Sequence, residues 1–335
     1  MAERKKIEML QLLRLIGSIS IIIYHSGIVG EHGYFAVEIF SVLSGYILMY
    51  STQSEHSKHG FLRKRLLRIV PLYWAFTFLM YGLLLFLPQL SLMSEATPDA
   101  LIKSLLFIPF INSKGWLVPL VSIGWTLNYE VFFYIVFFVA MHISHKYRGL
   151  LTTIFISTLV LLRFILNIDS VIWNFYTDSF VLEFVFGIIA FYVLNWMNSH
   201  NCNLVVKRIL LVLAGVSFIW MALDIGVTTT IARCVRIGIP ALILFIALVV
   251  NYADNTYPPI LVQLGNATFS IYLLEFFSTA LYKVLVPYLP SALVIVLFVA
   301  MVVCSLIAGY IIYKYVEIPL YQKLQSIFIK QKGEK

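Results

Sequence analysis

SALVIVLFVAMVVCSLIAGYIIYK, residues 291–314, carries no charge until its last residue, Lys314. At about 1.5 Å of rise per residue, a helix of this length crosses the roughly 30 Å hydrocarbon core of a bilayer. The apolar residues run on without the period-two alternation of a half-buried strand. A lipid-exposed span must satisfy its own backbone hydrogen bonds, as a helix or as part of a closed barrel. The unbroken run selects the helix.

The rest of the chain agrees. Of 335 residues, 61% are hydrophobic and only 12% charged, and the mean hydropathy is +0.92. Such a chain cannot supply the polar shell of a soluble domain, and it is too rich in apolar and aromatic residues to be disordered. Candidate spans fall near residues 9–28, 35–50, 70–88, 119–141, 149–167, 179–197, 208–225, 231–251, 269–287 and 291–314. Residues 101–113 form a further apolar patch, too short to span. The sequence therefore predicts an all-α fold: a polytopic helix bundle of about ten transmembrane helices. It is read as one domain over residues 1–335, with no appended soluble domain and no internal repeat.

The net charge is +8. In a soluble protein that excess would point to nucleic acid. In a membrane protein it marks the loops held on the cytoplasmic side, and no nucleic-acid partner is expected. With the N-terminus placed inside, the cytoplasmic segments hold Arg4, Lys5, Lys6, Lys58, Arg63, Lys64, Arg65, Arg68, Lys146, Arg148, Lys207, Arg208, Lys323, Lys330, Lys332 and Lys335. The outer segments hold only Lys103 and Lys114, beside Glu31, Glu95, Asp99, Asp169 and Asp178. An even number of spans returns the C-terminus to the cytoplasm. The opening MAERKKIE and its apolar continuation look like a signal peptide, but no small-residue cleavage site follows and Arg14 interrupts the run. The segment reads as a retained first span. Cys202, Cys234 and Cys304 have neither metal nor redox spacing and read as packing residues.

An ionisable side chain inside a span costs at least about 2.5 kcal/mol on insertion scales, so each one asks for a reason. Arg14, His25, Glu38, Glu130, Arg163, Glu183, Arg233, Arg236 and Glu275 are such residues, and they are expected to line a polar interior. Arg14 and His25 stand eleven residues apart on the first helix, which returns them to within roughly 20° of one face with an axial gap of about 16 Å. Histidine is the side chain best suited to proton transfer near neutral pH. Its alternative is a hydrogen-bonded packing residue.

In FLRKRLLRIVPLYW (residues 61–74), Arg65 and Arg68 share a face if the segment is helical. Forked guanidiniums suit phosphate oxygens, while simple positive-inside anchoring is the alternative. Pro71 marks the start of the third span or a kink. GWTLNYEVFFY (residues 124–134) sets Trp125, Asn128 and Glu130 near the outer start of the fourth span. A carboxylate there can orient an imidazole or bind a hydroxyl. In SVLSGY (residues 41–46) the small residues favour close helix packing over a nucleophilic Ser44, which lacks a nearby base.

Taken together, the chain resembles the acyltransferase 3 family of bacterial membrane acyltransferases. The likeness covers nearly the whole chain. It rests on Arg14-x10-His25, FSVLSGYIL (40–48), FLRKRLLRIVPLYW (61–74), GWTLNYEVFFY (124–134), LEFVFGIIA (182–190), NATFSIYLLE (266–275) and YVEIPL (315–320). The resemblance implies transfer of an acyl group, commonly acetyl, from cytoplasmic acyl-coenzyme A to a hydroxyl of a cell-surface glycan, a lipid-linked saccharide or a related acceptor. It implies a bacterial inner or plasma membrane location among membrane lipids. The position of His25 is regarded as essential in such proteins, those of Arg65 and Arg68 are linked to the donor, and Arg14 belongs to the first-helix motif. Glu275 departs from the pattern, since many members have His there.

The expected mechanism has His25 as general base on the acceptor hydroxyl, with Arg65 and Arg68 on the donor nucleotide and Arg14 along the pantetheine arm, by direct transfer or through an acyl-enzyme intermediate. Glu130 would orient His25 or the acceptor, and Trp125 and Asn128 would contact substrate. No metal is expected. EHSKH at residues 55–59 offers two histidines without the acidic spacing of a zincin. The competing function is a transporter or flippase for a lipid-linked glycan, with the buried charges as its path. A different membrane acyltransferase type and a non-catalytic scaffold are the remaining alternatives.

Overall fold

The computed structural model describes residues 7–30, 34–54, 60–88, 93–200, 202–223 and 233–328. The expectations placed on Arg4, Lys5, Lys6, Glu31, Lys58, the 55–59 histidines, Lys330, Lys332 and Lys335 lie outside them. The described residues form helices joined by turns. They are α1 (Glu8–Ser26), α2 (Ala36–Ser51), α3 (Phe61–Phe86), α4 (Pro98–Leu105), α5 (Trp125–Ile143), α6 (Arg148–Leu162), α7 (Val171–Tyr176), α8 (Leu182–Ser199), α9 (Leu204–Leu223), α10 (Ile239–Tyr252), α11 (Pro259–Asn266), α12 (Thr268–Leu285), α13 (Ser291–Ile312) and α14 (Ile318–Phe328). A π-helical turn, Cys234–Gly238, leads into α10, and a second, Tyr313–Glu317, joins α13 to α14. Among the described residues eight helical segments are long and apolar enough to cross a membrane. Two expected spans, Ala36–Ser51 and Arg148–Leu162, are shorter apolar helices. The all-α polytopic bundle is thus the observed fold class.

Three of the differences from the sequence reading are informative. The third span begins at Phe61 rather than near residue 70, so Arg65 and Arg68 lie inside α3 and Pro71 sits within the helix. A proline inside a helix loses one backbone hydrogen bond, which membrane helices tolerate when their neighbours supply polar partners. The apolar patch at 101–113 is helical only as part of Pro98–Leu105, where Thr97 Oγ1 accepts from Ala100 N at 3.2 Å and Pro98 opens the first turn. The last helical stretch continues to Phe328, past a π-turn at Tyr313–Glu317 and with Pro319 in the first turn of its final helix.

The chain divides into two compact units. Unit 1 comprises residues 1–51 and 179–268, and unit 2 comprises residues 52–178 and 269–335. In unit 1, α2 crosses α8 at Gly45 and Gly187. A Cβ at Gly45 would collide with the Phe184 carbonyl oxygen, and one at Gly187 with that of Val42. Glycine here serves close backbone approach rather than an unusual φ. Tyr46, Phe191 and Phe245 fill the space beside this crossing, with Tyr46–Phe245 centroids at 5.2 Å. Gly265 of α11 packs in the same way on the Gln11 backbone of α1. By contrast α9 fully buries only Ala214, Ser217 and Met221 and leaves most of its other residues exposed, as a lipid-facing helix would.

Unit 2 is packed mainly by aromatic rings. Tyr129 stacks on Phe175 at 4.0 Å, Phe132 on Tyr176 at 4.4 Å, and Tyr73 tilts against Phe107 at 4.9 Å. Phe133 and Phe137 are fully buried behind them. Arg148 is buried and satisfied by Thr52 Oγ1 at 2.9 Å and the His145 carbonyl at 2.8 Å. Arg163 pairs with Asp178 at 3.6 Å and donates to the Asn174 carbonyl at 2.8 Å.

Candidate active site

In unit 1 the first helix carries both Arg14 and His25, each half-buried. His25 lies in the last turn of α1, whose end is fixed locally. Gly27 takes the left-handed C-cap conformation with φ of 77°, which only glycine adopts cheaply. Ser26 Oγ donates to the Ile23 carbonyl at 2.6 Å and accepts from Ile28 N at 3.2 Å. The His25 ring lies 5.2 Å from that of Tyr24, which in turn lies 6.0 Å from that of Tyr34.

Beyond Tyr34 stands a buried ion cluster. Glu38 and Glu183 are fully buried in the first turns of α2 and α8. Arg233 donates to Glu38 Oε1 from Nε at 2.8 Å and from Nη2 at 2.7 Å. Its guanidinium also faces the rings of Phe180 at 5.0 Å and Tyr34 at 5.6 Å, and Glu183 adds electrostatic attraction. Arg236 Nη2 lies 3.5 Å from the Tyr34 hydroxyl, and its carbonyl accepts from Trp220 Nε1 at 2.9 Å. Two carboxylates and two guanidiniums balance in charge, as burial requires.

Unit 2 holds the other expected residues. Arg65 and Arg68 are half-buried on α3, one helical turn apart. The Arg65 guanidinium lies over the rings of Phe61 at 5.7 Å and Tyr134 at 5.9 Å, within electrostatic reach of Arg68, Glu130 and Tyr321. Glu130 accepts a hydrogen bond from the Tyr134 hydroxyl one turn along α5. Unit 2 therefore brings Glu130 and the arginine pair into one polar patch. Trp125 is half-buried with its ring 5.9 Å from Tyr129. Asn128 is buried, and its Oδ1 receives no hydrogen bond among the described residues.

Several polar groups escaped the sequence reading. Tyr134 stands at helical i,i+4 spacing from Glu130, a signal that was available. Tyr272 of α12 donates to the Ile123 carbonyl and lies 2.8 Å from Thr126 Oγ1, pinning the entry to α5. Ser270 donates to the buried Glu317, in the second π-turn, at 2.6 Å. Glu275 is buried on the same helix as Ser270 and Tyr272, within electrostatic reach of the Tyr272 hydroxyl. Of the nine ionisable residues expected to line a polar interior, Glu38, Glu183, Arg233 and Arg236 gather within unit 1, and within unit 2 Arg163 pairs with Asp178.

The chain matches the family model described as an acyltransferase domain over residues 7–314. It is 32% identical over 167 residues to the exopolysaccharide production protein ExoZ of Rhizobium meliloti (strain 1021), a match covering 48% of this chain and 51% of that protein. It is 27% identical over 274 residues to the acyltransferase MdmB of Streptomyces mycarofaciens, covering 73% of this chain and 67% of that protein. The chain thus spans about half the length of the first of these relatives. No solved structure matches.

Proposed function

Because the chain belongs to the acyltransferase domain family, we propose that it is a membrane O-acyltransferase of the bacterial plasma membrane. It moves an acetyl or similar acyl group from acyl-coenzyme A to a saccharide hydroxyl. The relative from Rhizobium meliloti is named for exopolysaccharide production, which supports a cell-surface polysaccharide or its lipid-linked precursor as acceptor. The termini face the cytoplasm, following the distribution of basic residues.

The observation that carries this reading is the half-buried pair Arg65 and Arg68, one turn apart within a membrane-crossing helix. Two forked guanidiniums at such spacing match the phosphate oxygens of a nucleotide. Phe61 and Tyr134 hold one of them by its face, and Glu130 restrains it electrostatically. In this reading Glu130 sets the donor-binding patch, and Trp125 and Asn128 contact substrate from the same helix. The Asn128 Oδ1, which receives no hydrogen bond among the described residues, supports a role as hydrogen-bond acceptor.

His25 is the general base. It removes the proton of the acceptor hydroxyl as the oxygen attacks the thioester carbonyl. The tetrahedral intermediate collapses with cleavage of the C–S bond. The thiolate leaves and takes the proton back from the imidazolium, giving an O-acyl ester and free coenzyme A. Arg14, on the same helix, steadies the acyl arm. His25→Ala is expected to reduce transfer at least a thousandfold while the protein still inserts, and wild-type turnover would end this mechanism. Replacing Arg65 and Arg68 with Gln is expected to raise the donor KM more than tenfold, and an unchanged KM would return both residues to topology anchors.

A further inference from the structure

The buried ion cluster of unit 1 is unused by the mechanism above, and its geometry is lopsided. Arg233 directs two of its N–H groups, from Nη2 and Nε, to one oxygen of Glu38, at 2.7 and 2.8 Å. The other oxygen, Oε2, is buried and accepts no hydrogen bond among the described residues. A purely structural Arg–carboxylate pair gains most by forking across both oxygens. The same guanidinium faces the rings of Phe180 and Tyr34 and is attracted by Glu183. A buried acceptor left without a donor is costly, and it marks a position where a donor from a ligand would be rewarded.

The chemistry of that donor follows from the charge balance. Glu38 and Glu183 already offset Arg233 and Arg236. A cationic ligand would upset this balance, whereas a neutral O–H would not. Tyr34 borders the cluster and is linked through the Tyr24 ring to His25, by centroid steps of 6.0 and 5.2 Å. A hydroxyl compound held here would thus lie two ring contacts from the proposed base.

We infer that Glu38 is an acceptor-binding residue, whose Oε2 takes a hydrogen bond from a saccharide hydroxyl while Arg233 fixes the carboxylate. This rests on the acyltransferase reading and adds to it the group that recognises the acceptor. The ligand class is a neutral polyhydroxylated sugar unit.

The test is steady-state kinetics of the full-length protein in membranes. Radiolabelled acetyl-coenzyme A serves as donor, and alkali-deacylated polysaccharide from the source strain serves as acceptor. Glu38→Gln keeps the oxygen that Arg233 holds and replaces Oε2 with an amide. It is expected to raise the acceptor KM about tenfold with the donor KM unchanged. Arg233→Lys keeps the charge but loses the two-donor grip, and is expected to give a smaller rise in the same parameter. An unchanged acceptor KM in Glu38→Gln would overturn the inference, as would donor and acceptor KM rising together. Should Glu38→Gln not accumulate in the membrane, Tyr34→Leu probes the same subsite and must again raise the acceptor KM alone. A wild-type acceptor KM in Tyr34→Leu then overturns the inference. Loss of transfer in His25→Ala alongside normal kinetics in Glu38→Gln sinks this inference alone, whereas normal transfer in His25→Ala sinks the acyltransferase mechanism itself.

Discussion

Tyr134 and Tyr272 are two phenols that act on α5 from different directions. Tyr134 donates to Glu130, so Tyr134→Phe is expected to raise the donor KM about fivefold and leave the acceptor KM alone. Equal changes in both would argue for general disruption. Tyr272 holds the Ile123 carbonyl just ahead of the helix that carries Trp125, Asn128 and Glu130. Tyr272→Phe leaves that acceptor without its phenol and is expected to cost about 1–3 kcal/mol of stability, visible as a lower melting temperature in detergent. At this scale the sequence is partly legible. Arg14, His25, Arg65, Arg68 and Glu130 declare themselves because a charge in an apolar run is expensive. The union of Glu38 with Arg233 does not, since 195 positions separate them and only the tertiary fold brings them together.

Among the elements, α2 and α8 depend on their glycines, and α9 does not. A methyl group at Gly187 would meet the Val42 carbonyl oxygen, whereas one at Gly215 on α9 would meet nothing within 4 Å. Gly187→Ala is therefore expected to destabilise the protein by about 1–3 kcal/mol through overpacking, and Gly215→Ala to be neutral or slightly stabilising. Thermal unfolding of the pair in one detergent checks the contrast. The packing role of the SGY segment was readable from its small residues. The start of α3 was not, because the apolar criterion ignores a charged first turn. Arg63 and Lys64 are exposed there, and Arg63 ties down the Phe328 carbonyl of α14 at 2.9 Å, so charge and helix coexist. The two π-turns left no mark in hydropathy either, although Arg233 directly precedes one and Glu317 lies within the other.

Across the whole molecule, hydropathy and the positions of Lys and Arg suffice to read a multi-pass helical bundle. They do not reveal that the helices sort into two units, each built from two stretches of chain, because that sorting is decided by which faces fit rather than by how apolar they are. The proposed topology puts Lys114 outside the cell. Lys114→Cys, with Cys202, Cys234 and Cys304 replaced by Ser, is expected to react with a membrane-impermeant maleimide in intact cells. Reaction only after lysis would invert the topology. With 15 residues, α6 rises only about 22 Å, against a hydrocarbon thickness of roughly 30 Å. The comparably short α2 is enclosed by protein on most of its circumference, but α6 turns Leu150, Ile154, Phe155 and Leu161 outward. Where α6 spans, acyl chains beside it would have to shorten or splay to keep water from those side chains, and we predict a local thinning of the bilayer there. Reconstituted vesicles built from shorter-chain lipids should relieve that strain and support faster turnover than those built from longer ones.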